Sequence, residues 1–182
     1  MARIIAVANQ KGGVGKTTTS VNLAAALAIE GGSVLLVDID PQGNATSGLG
    51  VDAMSLTKTI YNALISKESI ESLAMQTGVN GLSIVPANSH LAGAEVELVN
   101  MEDREQRLKE ALAEVSARYD TILPDCPPAL GLLTINAMVA CDGVIVPVQC
   151  EYLSLRGLAQ LNQTLAQVRE HLNPRVGIVG IV

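Results

Sequence analysis

Apolar and polar positions alternate along this chain with two different periods. Short apolar runs at 4–8, 34–37, 82–85, 121–123, 144–148 and 176–182 read as strands buried on both faces. Between them, apolar residues recur at three- and four-residue steps over 17–30, 56–66, 89–100, 103–119, 132–140 and 154–172, which predicts helices. In the first of these the face is Val21, Leu23, Ala24, Leu27 and Ala28, and Gly31-Gly32 ends it. In the last, Leu155, Leu158, Leu161, Leu165, Val168 and Leu172 mark one buried stripe. Buried strands separated by crossover helices predict an α/β fold, a mostly parallel twisted sheet with helices on both faces, as a single domain over 1–182. The closing run 176–182 reads as a core strand with no polar tail, so the chain is expected to be incomplete at its C-terminal end.

Composition narrows the class. With 48% hydrophobic residues in a chain of 182, a sizeable core forms and disorder is excluded. No apolar run has the length of a membrane span, and the first strand starts almost at once, so a cytoplasmic protein is expected. The net charge of −6 excludes coating of nucleic acid by bulk electrostatics, and three Tyr with no Trp or Phe provide no base-stacking platform. Cys126, Cys141 and Cys150 form no C-x-x-C pair, which leaves neither a disulfide framework nor a zinc site. His90 and His171 lack partners at metal-ligand spacing and read as surface or cap residues.

The candidate chemistry lies where strands end. Residues 10–19 read Q-K-G-G-V-G-K-T-T-T, a glycine loop between the first strand and the first helix. Relative to G-x-x-x-x-G-K-[ST], Gln10 stands in the first glycine slot and a second lysine follows at Lys11. Gly12, Gly13 and Gly15 permit positive φ and close approach of backbone to a ligand. Lys16 supplies positive charge, Thr17 a hydroxyl for Mg²⁺, and the helix N-terminus favours phosphate. Val37-Asp38-Ile39-Asp40-Pro41-Gln42-Gly43 puts two carboxylates two residues apart at a strand end. Such a pair can hold metal-bound water and orient an attacking water, although D-P-Q-G also serves as a plain strand-ending turn. The apolar run before Asp125 delivers that acid in the Walker B manner, for the water shell of Mg²⁺, and Pro127-Pro128 makes a rigid turn suited to sensing a γ-phosphate. Cys126 reads as a small core residue.

K-G-G-V-G-K-T-T-T, V-D-I-D-P-Q-G-N-A-T-S-G-L-G, D-C-P-P-A-L-G-L-L-T-I-N-A and P-V-Q-C-E-Y together resemble the ParA/Soj branch of the deviant Walker A ATPases, which segregate chromosomes and plasmids. The resemblance covers essentially the whole chain. It implies a P-loop NTPase that takes ATP and Mg²⁺ and closes into an ATP-sandwich homodimer. Catalytic roles are implied for Lys11, which crosses to the partner's nucleotide, for Lys16 in cis, and for Asp40, which positions the hydrolytic water. Lys11, Gly12, Gly13, Val14, Gly15, Lys16, Thr17 and Thr18 form the implied nucleotide loop. Thr17 and Asp125 are the implied metal residues, with Asp38 acting through water, and Pro127 and Pro128 form the switch. The implied partners are a ParB-like centromere-binding protein and nonspecific DNA, bound through elements beyond Val182, at the nucleoid and without a membrane. Two positions depart from the family pattern: Pro124 where Ile or Val is usual, and Arg156 where an acid is common. Related alternatives are a MinD-like membrane-cycling ATPase, which lacks the P-Q-G-N turn, and a nitrogenase-iron-protein-like carrier, which needs cysteines placed otherwise. A non-cycling nucleotide-binding fragment is the non-enzyme alternative.

Overall fold

The computed structural model describes the backbone of residues 1–182 and all side chains except those of 152–156, so Leu155 and Arg156 lie outside the described residues. Seven strands form one sheet in the order β3-β4-β2-β5-β1-β6-β7. These are β1 Arg3–Val7, β2 Val34–Asp38, β3 Met75–Gln76, β4 Leu82–Val85, β5 Thr121–Asp125, β6 Gly143–Val146 and β7 Ile178–Ile181. All pairings are parallel except the short edge pairing of β3 with β4. Eight α-helices and a short 3-10 helix at Ala53–Ser55 accompany them: α1 Lys16–Ile29, α2 Asn44–Gly48, α3 Ile60–Ser66, α4 Ile70–Leu73, α5 Leu91–Leu98, α6 Arg107–Ala113, α7 Leu132–Ala140 and α8 Tyr152–His171. Among the described residues no helix is long and apolar enough to cross a membrane.

The two faces of the sheet are covered unequally. Along β2, Leu35 and Val37 enter one apolar cluster and Val34 and Leu36 the other, as the two-residue period of a strand buried on both sides requires. The larger cluster takes in Leu64 of α3, Leu91 of α5, Leu108 of α6, Ala137 of α7 and Leu161 of α8. The smaller is closed by α1, whose buried positions Lys16, Ser20, Ala24 and Ala28 stand four residues apart. Small side chains at three of those positions let the helix lie close on the strands, which brings its first turn over the end of β5.

Several elements differ from the periodic reading. The helix expected at 56–66 starts at Ile60, because Thr59 accepts the Tyr61 N–H while Asn62 accepts the Thr59 N–H, a capping box. The helix expected over 103–119 is only Arg107–Ala113. Asp103 takes a left-handed φ of 53°, and Asn136 of α7 accepts the Leu108 N–H and donates to the Arg104 carbonyl. The run expected as a core strand at 176–182 forms β7 at the sheet edge, where Val176 is buried but Val179 and Ile181 are exposed.

Pro124 does sit in a central strand. β5 pairs with β2 at every position from Thr121 to Asp125. Its pairing with β1 includes Thr121, Ile122 and Asp125 and skips Leu123 and Pro124. The Asp120 carbonyl and the Cys126 N–H both face β1, so by alternation the missing N–H of Pro124 also faces β1, opposite the Ile5 carbonyl. Replacing Pro124 by Val is expected to restore that rung. The new amide should exchange as slowly as its neighbours by NMR. Stability should rise by less than the roughly 1 kcal/mol of a hydrogen bond, because the unfolded chain is loosened as well. Fast exchange at Val-substituted position 124 would show that β1 and β5 do not pair there.

Candidate functional site

The glycine loop rises from the C-terminal end of β1. Gly13 and Gly15 have φ of 72° and 92°, and Gly15 caps α1 with no side-chain oxygen. A Cβ at Gly12, Gly13 or Gly15 would meet nothing within 4 Å, so packing within the chain does not demand glycine there. The backbone of two of them does demand it, and the open space above the loop has the form of a cradle. At its base Asn9, buried, accepts the Lys11 N–H at 3.1 Å and donates to the Pro147 carbonyl at 2.6 Å. That bond ties the loop to the end of β6. Val14 is buried beneath the loop rather than presented to the cleft.

One open cleft brings together Gly12, Gly13, Gly15, Lys16, Thr17, Thr18, Asp40 and Pro128, and adds Gln42 and Asn44 from the turn after β2. Pro127 is buried and does not line it. The Thr134 hydroxyl pins the Pro-Pro turn to α7 by donating to the Ala129 carbonyl at 2.6 Å. The Lys16 ammonium donates to the Lys11 carbonyl at 3.1 Å. Burial lowers its pKa, and the charges of Asp125 and Asp40 oppose that shift.

Asp125 is fully buried at the end of β5. Its Oδ1 accepts from the Ser20 hydroxyl at 2.7 Å, and the Thr17 hydroxyl stands near enough to favour its charged form. Its Oδ2 is buried with no hydrogen-bond partner among the described residues. An orphaned carboxylate oxygen beside a threonine hydroxyl suits the hydration shell of Mg²⁺, a hard cation that retains water and takes oxygen ligands. Desolvation raises the Asp125 pKa to about 6, against the lowering effect of its bond to Ser20 and of the nearby Thr17 hydroxyl. Asp38, opposite it in register, is pushed to about 7 by burial, and its oxygens accept from Thr46 and from the Asp40 N–H. Asp40 is buried, and its Oδ1 accepts the Gln42 N–H at 2.9 Å.

Lys11 does not line the cleft. Its ammonium lies 2.6 Å from Glu151 Oε2 and 3.3 Å from Gln149 Oε1, while the Gln149 amide donates to the Gly13 carbonyl at 3.2 Å. Gln149, Glu151, Asn9 and Asn44 had no assigned role in the sequence reading. The first two fall in P-V-Q-C-E-Y, a motif that carried the resemblance without a chemical assignment. Cys126 is buried, and desolvation raises its thiol well above the usual range, as befits a core residue. His90 stands exposed at the start of α5, and His171 bonds its own helix through the Gln167 carbonyl.

A glycine loop between a central parallel strand and a helix, with a buried acid on the neighbouring strand, defines a P-loop NTPase fold. Residues 2–178 match the family described as AAA domain. The chain is 54% identical over 182 residues to the sporulation initiation inhibitor protein Soj of Bacillus subtilis, covering all of this chain and 72% of Soj. It is 53% identical to the chromosome partitioning protein ParA of Myxococcus xanthus, again over its full length and 64% of that relative. Among solved structures, cobyrinic acid a,c-diamide synthase from Mycobacterium smegmatis with bound ATP analog and magnesium superposes with a TM-score of 0.96 at 43% identity. The match covers 100% of this chain and 74% of that one. The chain belongs to the Soj/ParA family of partitioning ATPases.

The buried acids carry a pH signature. Asp38 and Asp125 hold protons more tightly in the folded chain than at their ordinary value of 3.8. The folded state therefore takes up protons between roughly pH 4 and 7, and their contribution to stability falls as pH rises through that window. In metal-free protein the thermal midpoint of Asp125→Asn is expected to fall less over this range than that of the wild type. Parallel curves would show that Asp125 is solvated.

Proposed function

We propose that this chain carries the nucleotide site of an ATP-driven dimerisation switch that segregates DNA. The observation that supports it best is the cleft itself, where Lys16, Thr17 and Asp40 converge on the glycine loop above the buried Asp125. The β- and γ-phosphates of ATP sit over the loop, received by backbone N–H groups and the Lys16 ammonium. Thr17 and Asp125 would hold Mg²⁺, which would offset the charge of the phosphates. Asp40 faces the cleft beside the phosphate site and orients the attacking water. The Pro127-Pro128 turn follows directly from Asp125, so loss of the γ-phosphate is passed to α7. Asp38, with its oxygens engaged by Thr46 and Asp40, serves the turn rather than the metal.

Lys11 completes the mechanism from outside the subunit. In this structure it is held in its own chain by Glu151 and Gln149, at the rim of the cleft. Closing two subunits face to face exchanges those partners for the other subunit's phosphates. A trans cation of this kind contributes on the order of 10³–10⁵ in rate, so hydrolysis is gated by assembly. The ATP dimer binds nonspecific DNA at the nucleoid, and a ParB-like centromere-binding protein stimulates hydrolysis and release.

Light scattering with and without ATP tests this reading. The wild type should form a dimer that decays as ATP is consumed, and Asp40→Ala a dimer that persists. Lys11→Ala should remain monomeric. Turnover in Asp40→Ala should fall by on the order of 10²-fold or more. Monomers in every case would overturn the switch, and DNA and partner that leave turnover unchanged would overturn the segregation cycle.

A further inference from the structure

The turn that carries Asp40 has an internal support that phosphate binding does not explain. Asp38 Oδ1 accepts the Asp40 N–H at 3.1 Å. Its Oδ2 accepts two bonds from one residue, the Thr46 N–H at 2.8 Å and the Thr46 hydroxyl at 2.7 Å. That hydroxyl in turn accepts the Ala87 N–H at 2.9 Å, from the loop after β4. Asp38, Thr46 and Ala87 are fully buried and Asp40 is nearly so. A second contact braces the same two segments: Gly43 has φ of 62°, and a Cβ there would stand 2.9 Å from the Ala87 carbonyl. The Ala87 N–H thus bonds to the turn, and its carbonyl lies close enough to Gly43 to exclude a side chain there.

We infer that Thr46 is a positioning residue for hydrolysis, fixing the Asp40 backbone through the Asp38 carboxylate and anchoring both to the Ala87 peptide. The inference rests on the reading of Asp40 as the group that orients the attacking water. The Thr46 hydroxyl is the one side-chain group in the relay that both donates and accepts. Removing it strands the Ala87 N–H in the interior and leaves Asp38 Oδ2 with a single donor. Bonds in such a dry relay hold geometry more strictly than exposed ones. The Asp40 Oδ1 bond to the Gln42 N–H then orients the carboxylate on a backbone that Thr46 has already fixed. Thr46 does not line the cleft, so nucleotide binding does not depend on it directly.

The test is steady-state phosphate release together with equilibrium nucleotide binding for wild type, Thr46→Val and Thr46→Ser. Thr46→Val is expected to lower kcat about 10-fold or more, as small displacements of a catalytic group do. Its ATP affinity should stay within about twofold and Thr46→Ser should restore turnover, because uniform binding is untouched. If Thr46→Val does not fold, Thr46→Cys replaces it, with an expected intermediate rate. In the Asp40→Ala background the Thr46 substitution should have no further effect on residual turnover, since there is no carboxylate left to place. Wild-type turnover with an unchanged kcat in Thr46→Val would overturn the positioning role and leave the ATPase reading standing. Equal losses of affinity and rate, or additive losses with Asp40→Ala, would reduce Thr46 to a structural part and overturn it too. Absence of any wild-type turnover would remove the ATPase reading and this inference with it.

Discussion

Everything at the carboxyl end of the sheet depends on keeping charges out of water there. Asp38 and Asp125 are fully buried side by side on β2 and β5, Asp40 is nearly so, and one buried lysine faces them. Three acids face one base, and the cost of taking them out of water is visible as desolvation that raises the pKa of Asp38 and Asp125 and lowers that of Lys16. Neutralisation within the cluster is incomplete, so proteins of this kind favour an arriving cation. The same cluster dictates the local architecture. Strands must end here, α1 must bring Thr17 and Ser20 to Asp125, and the turn after β2 must supply donors to Asp38.

The donors come from two kinds of source. Asp125 is served by the Ser20 hydroxyl of α1, available only because the helix packs closely on small residues. Asp38 is served by its own turn, eight residues on, and that turn is supported in its interior by the loop after β4. One acid thus keeps an open oxygen and the other keeps none. Under the proposed function, the difference separates an acid arranged for ligand chemistry from one arranged for structure, although both sit at equivalent strand ends.

That distinction was not legible in the sequence, whereas much of the frame was. The buried strands, the glycine loop and α1 and α7 follow from local pattern, because a run such as V-L-L-V or G-G-V-G-K states its own conformation. The two-residue β3 has no period to detect, and α2 is N-A-T-S-G, which lacks helical propensity and is held by the contacts of Thr46. Periodicity overran α6, since the bonds of Asn136 that shorten it come from another helix. Asp38 and Asp40 looked alike as a pair of carboxylates until their partners were seen. Gln149 and Glu151 meet Lys11 across about 140 residues of chain, beyond the reach of any spacing argument.

The tether on Lys11 has a consequence for ionic strength. Its ion pair with Glu151 is half exposed, with 30% and 59% of the two side chains accessible, so it stabilises by less than about 1 kcal/mol and weakens as salt is added. Salt equally weakens the attraction of a freed Lys11 for phosphates across the proposed dimer. Ions in solution therefore act on both sides of the exchange. In the proposed dimer, affinity is less sensitive to salt than a bare lysine–phosphate contact would make it, which would leave control of assembly to the nucleotide rather than to the surrounding electrolyte.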